Sequence, residues 1–147
     1  MANGSPFAAT VLVQDPTAVN TPQVVSLAIV VRPKAHIAVA PTPLIFVTVA
    51  PISGPFAPIP TQALTITNGG LPGSNLDYQV TKLTGNSPWL VAYTPVSGSI
   101  PGGLTQNVTV VVQPAQGTAP GVYQESLRIS GYSDNFYVDV PVQLTVS

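Results

Sequence analysis

The spacing of proline and glycine constrains the fold of this chain more than any other sequence feature. Seventeen prolines and twelve glycines divide its 147 residues into short segments. These segments are rich in Val, Thr, Ile and Leu, which favour strands. Proline breaks helices, and it interrupts nearly every window that is long enough to hold one. The sequence therefore predicts an all-β fold of short strands joined by turns, with little or no helix.

Apolar and polar residues alternate through seven or eight predicted strands after residue 34. In residues 62–68, for example, Leu64 and Ile66 alternate with threonines before a predicted positive-φ turn at residues 68–70. A period of two indicates antiparallel sheets with one buried face, and two such sheets packed together make a sandwich. The predicted core residues are Phe46, Leu64, Ile66, Tyr78, Trp89, Val110, Leu127, Ile129, Val140 and Leu144.

The beginning of the chain predicts a β-hairpin that is similar to the end of the chain. Residues 7–13 align with residues 123–129 at an offset of 116, and residues 25–31 align with residues 140–146 at an offset of 115. One gap in the intervening loop reconciles the two offsets. A period of about 115 residues is the size of one sandwich domain, so the hairpin is interpreted as the end of a preceding repeat.

Ionisable side chains are too few to predict an active site. The chain has five carboxylates, four Lys or Arg side chains, one histidine and no cysteine. Acid–base catalysis and metal binding need several such groups in one cleft, so we expect no enzyme, cofactor or metal site. A net charge of −1 without a basic patch argues against nucleic acid as a partner. No apolar run reaches the roughly 18 residues of a membrane span.

Cysteine usage and the first residues bear on localisation. Bacterial surface arrays and virion proteins commonly lack disulfides, so the absence of cysteine fits an extracellular, cell-surface or virion-surface location. Residues 1–10 contain neither a basic region nor a long apolar region and do not predict a signal peptide. The expectation is either a piece of a longer secreted protein or a protein that does not use the secretory route.

Several short motifs follow one another in a characteristic order. They are Leu44-x-Phe46, Gln62-x-Leu64-Thr65-Ile66-Thr67-Asn68, Pro88-Trp89-Leu90, Pro95-x-Ser97-Gly98, Val108-Thr109-Val110 and Ala119-Pro120-Gly121-x-Tyr123. In order and spacing, residues 35–147 resemble the BACON domain, an immunoglobulin-like module of bacterial surface proteins and some phage proteins. Residues 1–34 resemble the final strands of the same module. The resemblance implies an immunoglobulin-like antiparallel β-sandwich of seven to eight strands, with an extra N-terminal β-hairpin.

The same resemblance implies extracellular display beside glycan-handling partners, which gives Trp89 two interpretations. A tryptophan ring can serve as a stacking platform for a sugar, or it can pack between two sheets. The position of Trp89 in Pro-Trp-Leu is similar to that of the core tryptophan of the family. Buried packing is therefore the favoured interpretation.

Residues 131–137 form the best candidate for a ligand-binding loop, because they combine aromatic rings with polar groups. The residues that such a site would use are Tyr132, Asp134, Asn135 and Tyr137. The favoured alternative is a plain hairpin turn with Phe136 packed inward and Tyr137 covering the sheet. Asp134 and Asp139 are a poor calcium site, since no glycine-rich acidic loop accompanies them.

The N-terminal hairpin requires a partner surface, because two strands alone do not make a stable unit in water. Its apolar residues are Phe7, Val11, Val13, Val25, Leu27, Ile29 and Val31. The hairpin either packs on its own sandwich, extends the sheet of a neighbour, or stays exposed. Extension of a neighbour through the linker at residues 32–34 would build a filament or a ring.

Three functions remain in view from the sequence. The leading prediction is a non-enzymatic structural or assembly module of an extracellular fibre, adhesin array or virion surface. It would associate with itself or with neighbouring repeats through sheet edges and the hairpin. The alternatives are a carbohydrate-binding module that uses residues 131–137 and a passive spacer domain of a larger secreted protein.

Overall fold

The computed structural model describes residues 7–20 and 22–147. The secondary structure within these ranges consists of strands, without a helix. The strands are β1 Phe7–Val13, β2 Gln23–Ile29, β3 Ile37–Ala40, β4 Leu44–Thr48, β5 Gln62–Asn68, β6 Asn75–Lys82, β7 Leu90–Thr94, β8 Ser97–Pro101, β9 Thr105–Val112, β10 Gly121–Gly131 and β11 Tyr137–Val146. The predicted all-β class is confirmed. A search of the described residues finds no helix with the length and apolar character to span a membrane. Residues 1–6 and 21, which belong to the predicted N-terminal region, lie outside the described residues.

The chain divides into two compact units, with the boundary between Pro33 and Lys34. The first unit contains β1 and β2, which pair antiparallel and are called the N-terminal hairpin below. The second unit, Lys34–Ser147, contains the other strands and is called the sandwich. Each unit is described separately.

The sandwich consists of a five-stranded and a four-stranded sheet. Their strand orders are β4-β11-β10-β6-β8 and β3-β5-β9-β7. The β11–β4 pair is parallel and the other pairs are antiparallel. Residues 34–147, all of which are described, thus hold nine strands where the sequence predicted seven or eight. Alternation does not specify strand direction, so the parallel pair had no sequence signal.

Strand β8 is absent from the sequence-based prediction because its alternation is weak. It contains Gly98 and Pro101, and only Ile100 is buried. Gly98 lies against the Tyr78 ring of β6, and a Cβ atom there would stand 2.9 Å from the hydroxyl oxygen of Tyr78. Glycine weakens a strand signal and at the same time permits this close approach of two strands.

The core lies between the two sheets and is built from every second residue of each strand. Leu64, Ile66, Leu127 and Ile129 are completely buried, and their strand neighbours face outward. All ten residues that the sequence assigned to the core are buried in the structure. The apolar pattern with a period of two therefore produces the sandwich directly.

Pro141 lies within β11, a central strand of the five-stranded sheet, where proline is usually excluded. It stands opposite Ser126 of β10. On the other side, β4 begins at Leu44, which pairs with Val142. Strand β4 therefore does not extend to Pro141, and the missing N–H interrupts no ladder on that side.

The turn predicted at residues 68–70 is only a bend at residue 70 without a positive φ, and the hydrogen-bonded turn lies at residues 71–74. Among the described residues, positive φ values occur at Gly54, Gly73, Gly85, Gly103, Gly117 and Phe136. The Asn68 side chain organises the bend instead. Its oxygen accepts bonds from His36 N at 3.1 Å and Gly70 N at 3.0 Å, and its Nδ2 donates to Ile100 O at 2.9 Å and Ser74 Oγ at 3.3 Å.

We expect Asn68→Ala to lower the free energy of unfolding of the sandwich by about 2–3 kcal/mol. Asn68 is completely buried, so its removal leaves buried donors and acceptors without partners. Urea denaturation followed by tryptophan fluorescence measures the change. Asn75→Ala, at an exposed position of β6, is the control and should change stability by less than about 0.5 kcal/mol. Equal effects of the two substitutions would contradict the assigned role of Asn68.

Candidate functional site

The N-terminal hairpin presents a continuous apolar face. Cross-strand partners share a face of an antiparallel pair, and the pairs on this face are Phe7↔Ile29, Ala9↔Leu27, Val11↔Val25 and Val13↔Gln23. Six of the seven apolar residues singled out in the sequence therefore lie side by side, while Val31 follows the end of β2. The opposite face carries the pairs Ala8↔Ala28, Thr10↔Ser26 and Leu12↔Val24, of which only the last is large and apolar. We call the first surface the apolar face of the hairpin.

Every residue of both hairpin strands is exposed. Phe7 is 68% exposed, and the aliphatic residues of the apolar face are about half exposed or more. The strands FAATVLV and QVVSLAI contain no charged residue. Among the strands that the structure describes, each of these two strands pairs only with the other, so each also has one unpaired edge of seven residues.

The edges of the sandwich are different in character. Its four edge strands, β3, β4, β7 and β8, are four or five residues long. Proline follows β3, precedes β4 and ends β8. Short strands and proline are common means of limiting edge-to-edge pairing. The hairpin is therefore the longer and less protected pairing surface of this chain.

Residues 131–137 hold the beginning of β3 in place. Asp134 N donates to Ala35 O at 3.0 Å, and Asp134 Oδ1 lies 2.8 Å from His36 Nδ1. Asn135 accepts a bond from Ile37 N at 3.1 Å and donates to Ile37 O at 2.9 Å. Asn135 and one oxygen of Asp134 are thus bonded to residues 35–37, while the Asp134 side chain remains 55% exposed. We call this set of bonds the β3 clamp.

The aromatic residues of the same loop also contact neighbouring side chains. Lys34 Nζ lies 5.6 Å from the centre of the Tyr132 ring and 5.8 Å from that of Phe136. Phe136 is 61% exposed and has a positive φ of 59°, so the predicted inward packing of Phe136 is wrong. The left-handed conformation that closes this tight turn directs the ring outward, which the alternation of β11 could not reveal.

The two carboxylates considered for calcium each bind a different side chain. Asp139 forms a bidentate pair with Arg128, at 2.7 and 2.8 Å, whereas Asp134 bonds to His36. The guanidinium of Arg128 lies 4.0 Å from the centre of the Tyr137 ring, so that this loop residue covers the ion pair. The Arg128 bond lowers the pKa of Asp139. A search of the described residues finds no group of three metal-ligating side chains.

Glu125 is a buried polar centre that the sequence analysis missed. Its side chain is 4% exposed. It accepts bonds from Thr84 N and Oγ1, Ser87 Oγ and Ser126 N, at 2.7–3.2 Å. Burial alone would raise its pKa, but these bonds outweigh burial and hold the pKa at about 2. The sequence did contain a signal for this buried carboxylate, since Glu125 stands at an inward position of β10 between Tyr123 and Leu127.

Trp89 lines a cleft of about 430 Å³ together with Pro88, Pro114 and Tyr123. The tryptophan is only 8% exposed, so it does not present a full ring face to a ligand. The Tyr123 hydroxyl donates to Ala119 O at 2.8 Å. The position of Trp89 agrees with the favoured interpretation of a packed core residue.

Comparison with known proteins identifies the fold and nothing finer. No family model and no curated protein matches the chain. The Escherichia coli chaperone DraB and the periplasmic chaperone SfaE are each similar to 76% of this chain, with a TM-score of 0.51 and 14% identity. A family 123 glycoside hydrolase from Clostridium perfringens is similar to 77% of it, with a TM-score of 0.51 and 10% identity. The chain spans 55%, 57% and 27% of these proteins. At such identities the similarity shows an immunoglobulin-like β-sandwich.

Proposed function

We propose that this chain is a non-enzymatic structural module that assembles with neighbouring β-sandwich modules through its N-terminal hairpin. Its setting would be an extracellular fibre, an adhesin array or a virion surface. The observation that carries the proposal is the apolar face of the hairpin, which is exposed, uncharged and bordered by two unpaired seven-residue edges. The BACON-like order of motifs in the sandwich supports display on a bacterial or phage surface.

The apolar area on the hairpin contributes a favourable term to assembly. Six large apolar residues on one face are each about half exposed or more. Complete burial of such a side chain stabilises by about 1.5–3 kcal/mol. Burial of the part that is now exposed would therefore contribute about 5–10 kcal/mol in total. Main-chain hydrogen bonds along an unpaired edge would add both affinity and register.

The chemistry of the sandwich supports a binding role more than a catalytic one. Glu125, Asp134 and Asp139 are each held by hydrogen bonds to neighbouring residues. Catalytic carboxylates need access to a substrate, and these three stabilise loops and strands instead. The β3 clamp likewise occupies Asn135 and one oxygen of Asp134, which a carbohydrate site at residues 131–137 would use.

We expect the full chain to self-associate when no other partner covers the hairpin, and a charge pair on the apolar face to abolish this. The test variant is Val11→Lys with Val25→Glu. These residues are cross-strand partners, so the opposite charges keep the hairpin paired while its face becomes polar. Size-exclusion chromatography with light scattering should show concentration-dependent oligomers for the natural sequence and the 15.1 kDa monomer for the variant.

The matched control places the same charges on the opposite face, as Thr10→Lys with Ser26→Glu, which are also cross-strand partners. This control should associate like the natural chain. A natural chain that stays monomeric at high concentration, with hairpin amides protected from hydrogen exchange, would refute self-association through the hairpin.

A further inference from the structure

The N-terminal hairpin and the β10–β11 pair have the same strand register. At the offsets of 116 and 115 found in the sequence, each hairpin pair corresponds to an observed pair of the sandwich. The corresponding pairs are Phe7↔Ile29 with Tyr123↔Leu144, Val11↔Val25 with Leu127↔Val140, and Val13↔Gln23 with Ile129↔Val138. The sequence offsets contain no information on pairing. A slip of one residue in either unit would have destroyed the agreement.

The two pairs also agree in which face is apolar. Leu127, Val140 and Leu144 are completely buried in the sandwich. Their counterparts on the apolar face of the hairpin, Val11, Val25 and Ile29, are 48%, 49% and 61% exposed. The apolar face of the hairpin is thus the equivalent of a surface that a complete sandwich buries.

The outward faces share this register but differ in chemistry. The cross-strand ion pair Arg128↔Asp139 has the cross-strand pair Leu12↔Val24 as its counterpart. An apolar cross-strand pair of the hairpin therefore stands where the sandwich has an ion pair. The buried Glu125 corresponds to Ala9, so the surface that receives the hairpin needs no hydroxyl groups like those of Thr84 and Ser87.

The arrangement around β10 and β11 defines what the hairpin lacks. In the sandwich these two strands lie between β6 and β4, and their inner side chains join the core shared with the four-stranded sheet. The described residues of the first unit, 7–20 and 22–33, contain neither flanking strands nor an opposed sheet. A second copy of this sandwich has no vacancy for the hairpin, because its own β10 and β11 occupy the position.

We propose that the natural partner of the hairpin is a partial immunoglobulin-like sandwich, which has equivalents of β3–β9 but lacks its last two strands. The hairpin fills the gap between the equivalents of β6 and β4 and completes the core. This inference rests on the proposed function and names the partner of the same surface. The hairpin would then insert at the centre of a sheet of the partner, with its apolar face toward the core.

A tandem chain tests the inference. Residues 34–122 are placed directly before Phe7, so that a copy of β3–β9 precedes the hairpin and the natural sandwich follows it. Ala9→Glu supplies the carboxylate that this acceptor needs. Asp15→Gly matches Gly131, where a Cβ atom would lie 2.5 Å from Asp77 O. The natural sandwich at the C-terminal end is an internal standard for folding.

The added segment should fold as a second sandwich. Two buried tryptophans should give twice the near-ultraviolet circular dichroism of the unmodified chain. The reference for limited proteolysis is the tandem chain that also carries Val11→Lys with Val25→Glu. Protease should cut the added segment at least about 100-fold more slowly in the tandem chain without this pair, because the cleavage rate follows the fraction of molecules in which the segment is unfolded. Thr10→Lys with Ser26→Glu lies on the outward face and should retain the protection.

Rapid cleavage of the added segment in the tandem chain, at the rate seen with the Val11→Lys and Val25→Glu pair, would overturn the inference. The result of the tandem-chain experiment can be distinguished from the result of the self-association experiment that tests the proposed function. If the unextended chain associates through the apolar face while the tandem chain fails, assembly stands and the partner is not a partial sandwich. If the tandem chain succeeds and the unextended chain stays monomeric, only the self-association expected without a partner is lost.

Discussion

Replacement of Trp89 by alanine should lower the free energy of unfolding of the sandwich by about 3–5 kcal/mol. The side chain is 8% exposed and belongs to the core cluster between the two sheets. Removal of a buried aromatic ring forfeits its burial and leaves a cavity that the neighbouring strands fill only in part. The main-chain bond from Gln113 N to Trp89 O, at 2.8 Å, is unaffected by the substitution, so the loss reports packing.

Denaturation by urea, followed by far-ultraviolet circular dichroism, measures this loss without relying on tryptophan emission. Tyr132→Ala is the matched control, because Tyr132 is 74% exposed and its ring lies outside the core. The control should change stability by less than about 0.5 kcal/mol. If Trp89→Ala leaves the midpoint unchanged, Trp89 is a surface residue and its assignment to the core fails.

Acidification from pH 5 to pH 2 should remove about 3 kcal/mol of stability through Glu125 alone. The folded protein holds the pKa of Glu125 at about 2, below the ordinary value of 4.5. The unfolded chain therefore binds the proton first as pH falls. Stability from this group is fully present above pH 4.5 and is lost as the pH falls toward 2.

Glu125→Gln isolates this contribution. The variant retains Asp15 and Asp139, whose pKa values are also lowered, by bonds from Thr17 and Arg128 respectively. The difference between the two curves of stability against pH thus belongs to Glu125. We expect the variant to be less stable at pH 7 by about 3 kcal/mol and the two curves to converge near pH 2. Parallel curves over this range would show that the bonds from Thr84 and Ser87 do not stabilise the carboxylate.

The sequence predicted those parts of the fold that depend on local alternation. Leu64 and Ile66, or Leu127 and Ile129, face the core because every second residue of a strand does so. The apolar face of the hairpin could be predicted for the same reason. Strand β8 could not, since Gly98 and Pro101 interrupt its pattern.

The contacts of the candidate sites were not predictable, because they join residues far apart in the chain. The β3 clamp links Asn135 to Ile37, and Glu125 binds Thr84 and Ser87. No spacing in one sequence indicates such partners. The outward direction of Phe136 depends on one left-handed residue, which alternation along β11 does not encode.

The β3 clamp has a mechanical consequence for a chain that is held by its hairpin. Only residues 30–33 separate the end of β2 from the first residue of the sandwich. Tension applied through this short tether enters the sandwich at residues 34–37. The first bonds to bear load are those of Ala35 and His36, which join residue 134 on one side and residues 68–69 on the other. A pull on the hairpin therefore loads two sets of bonds at one end of the sandwich, those of residues 35–37 to residues 134–135 and those of residue 36 to residues 68–69.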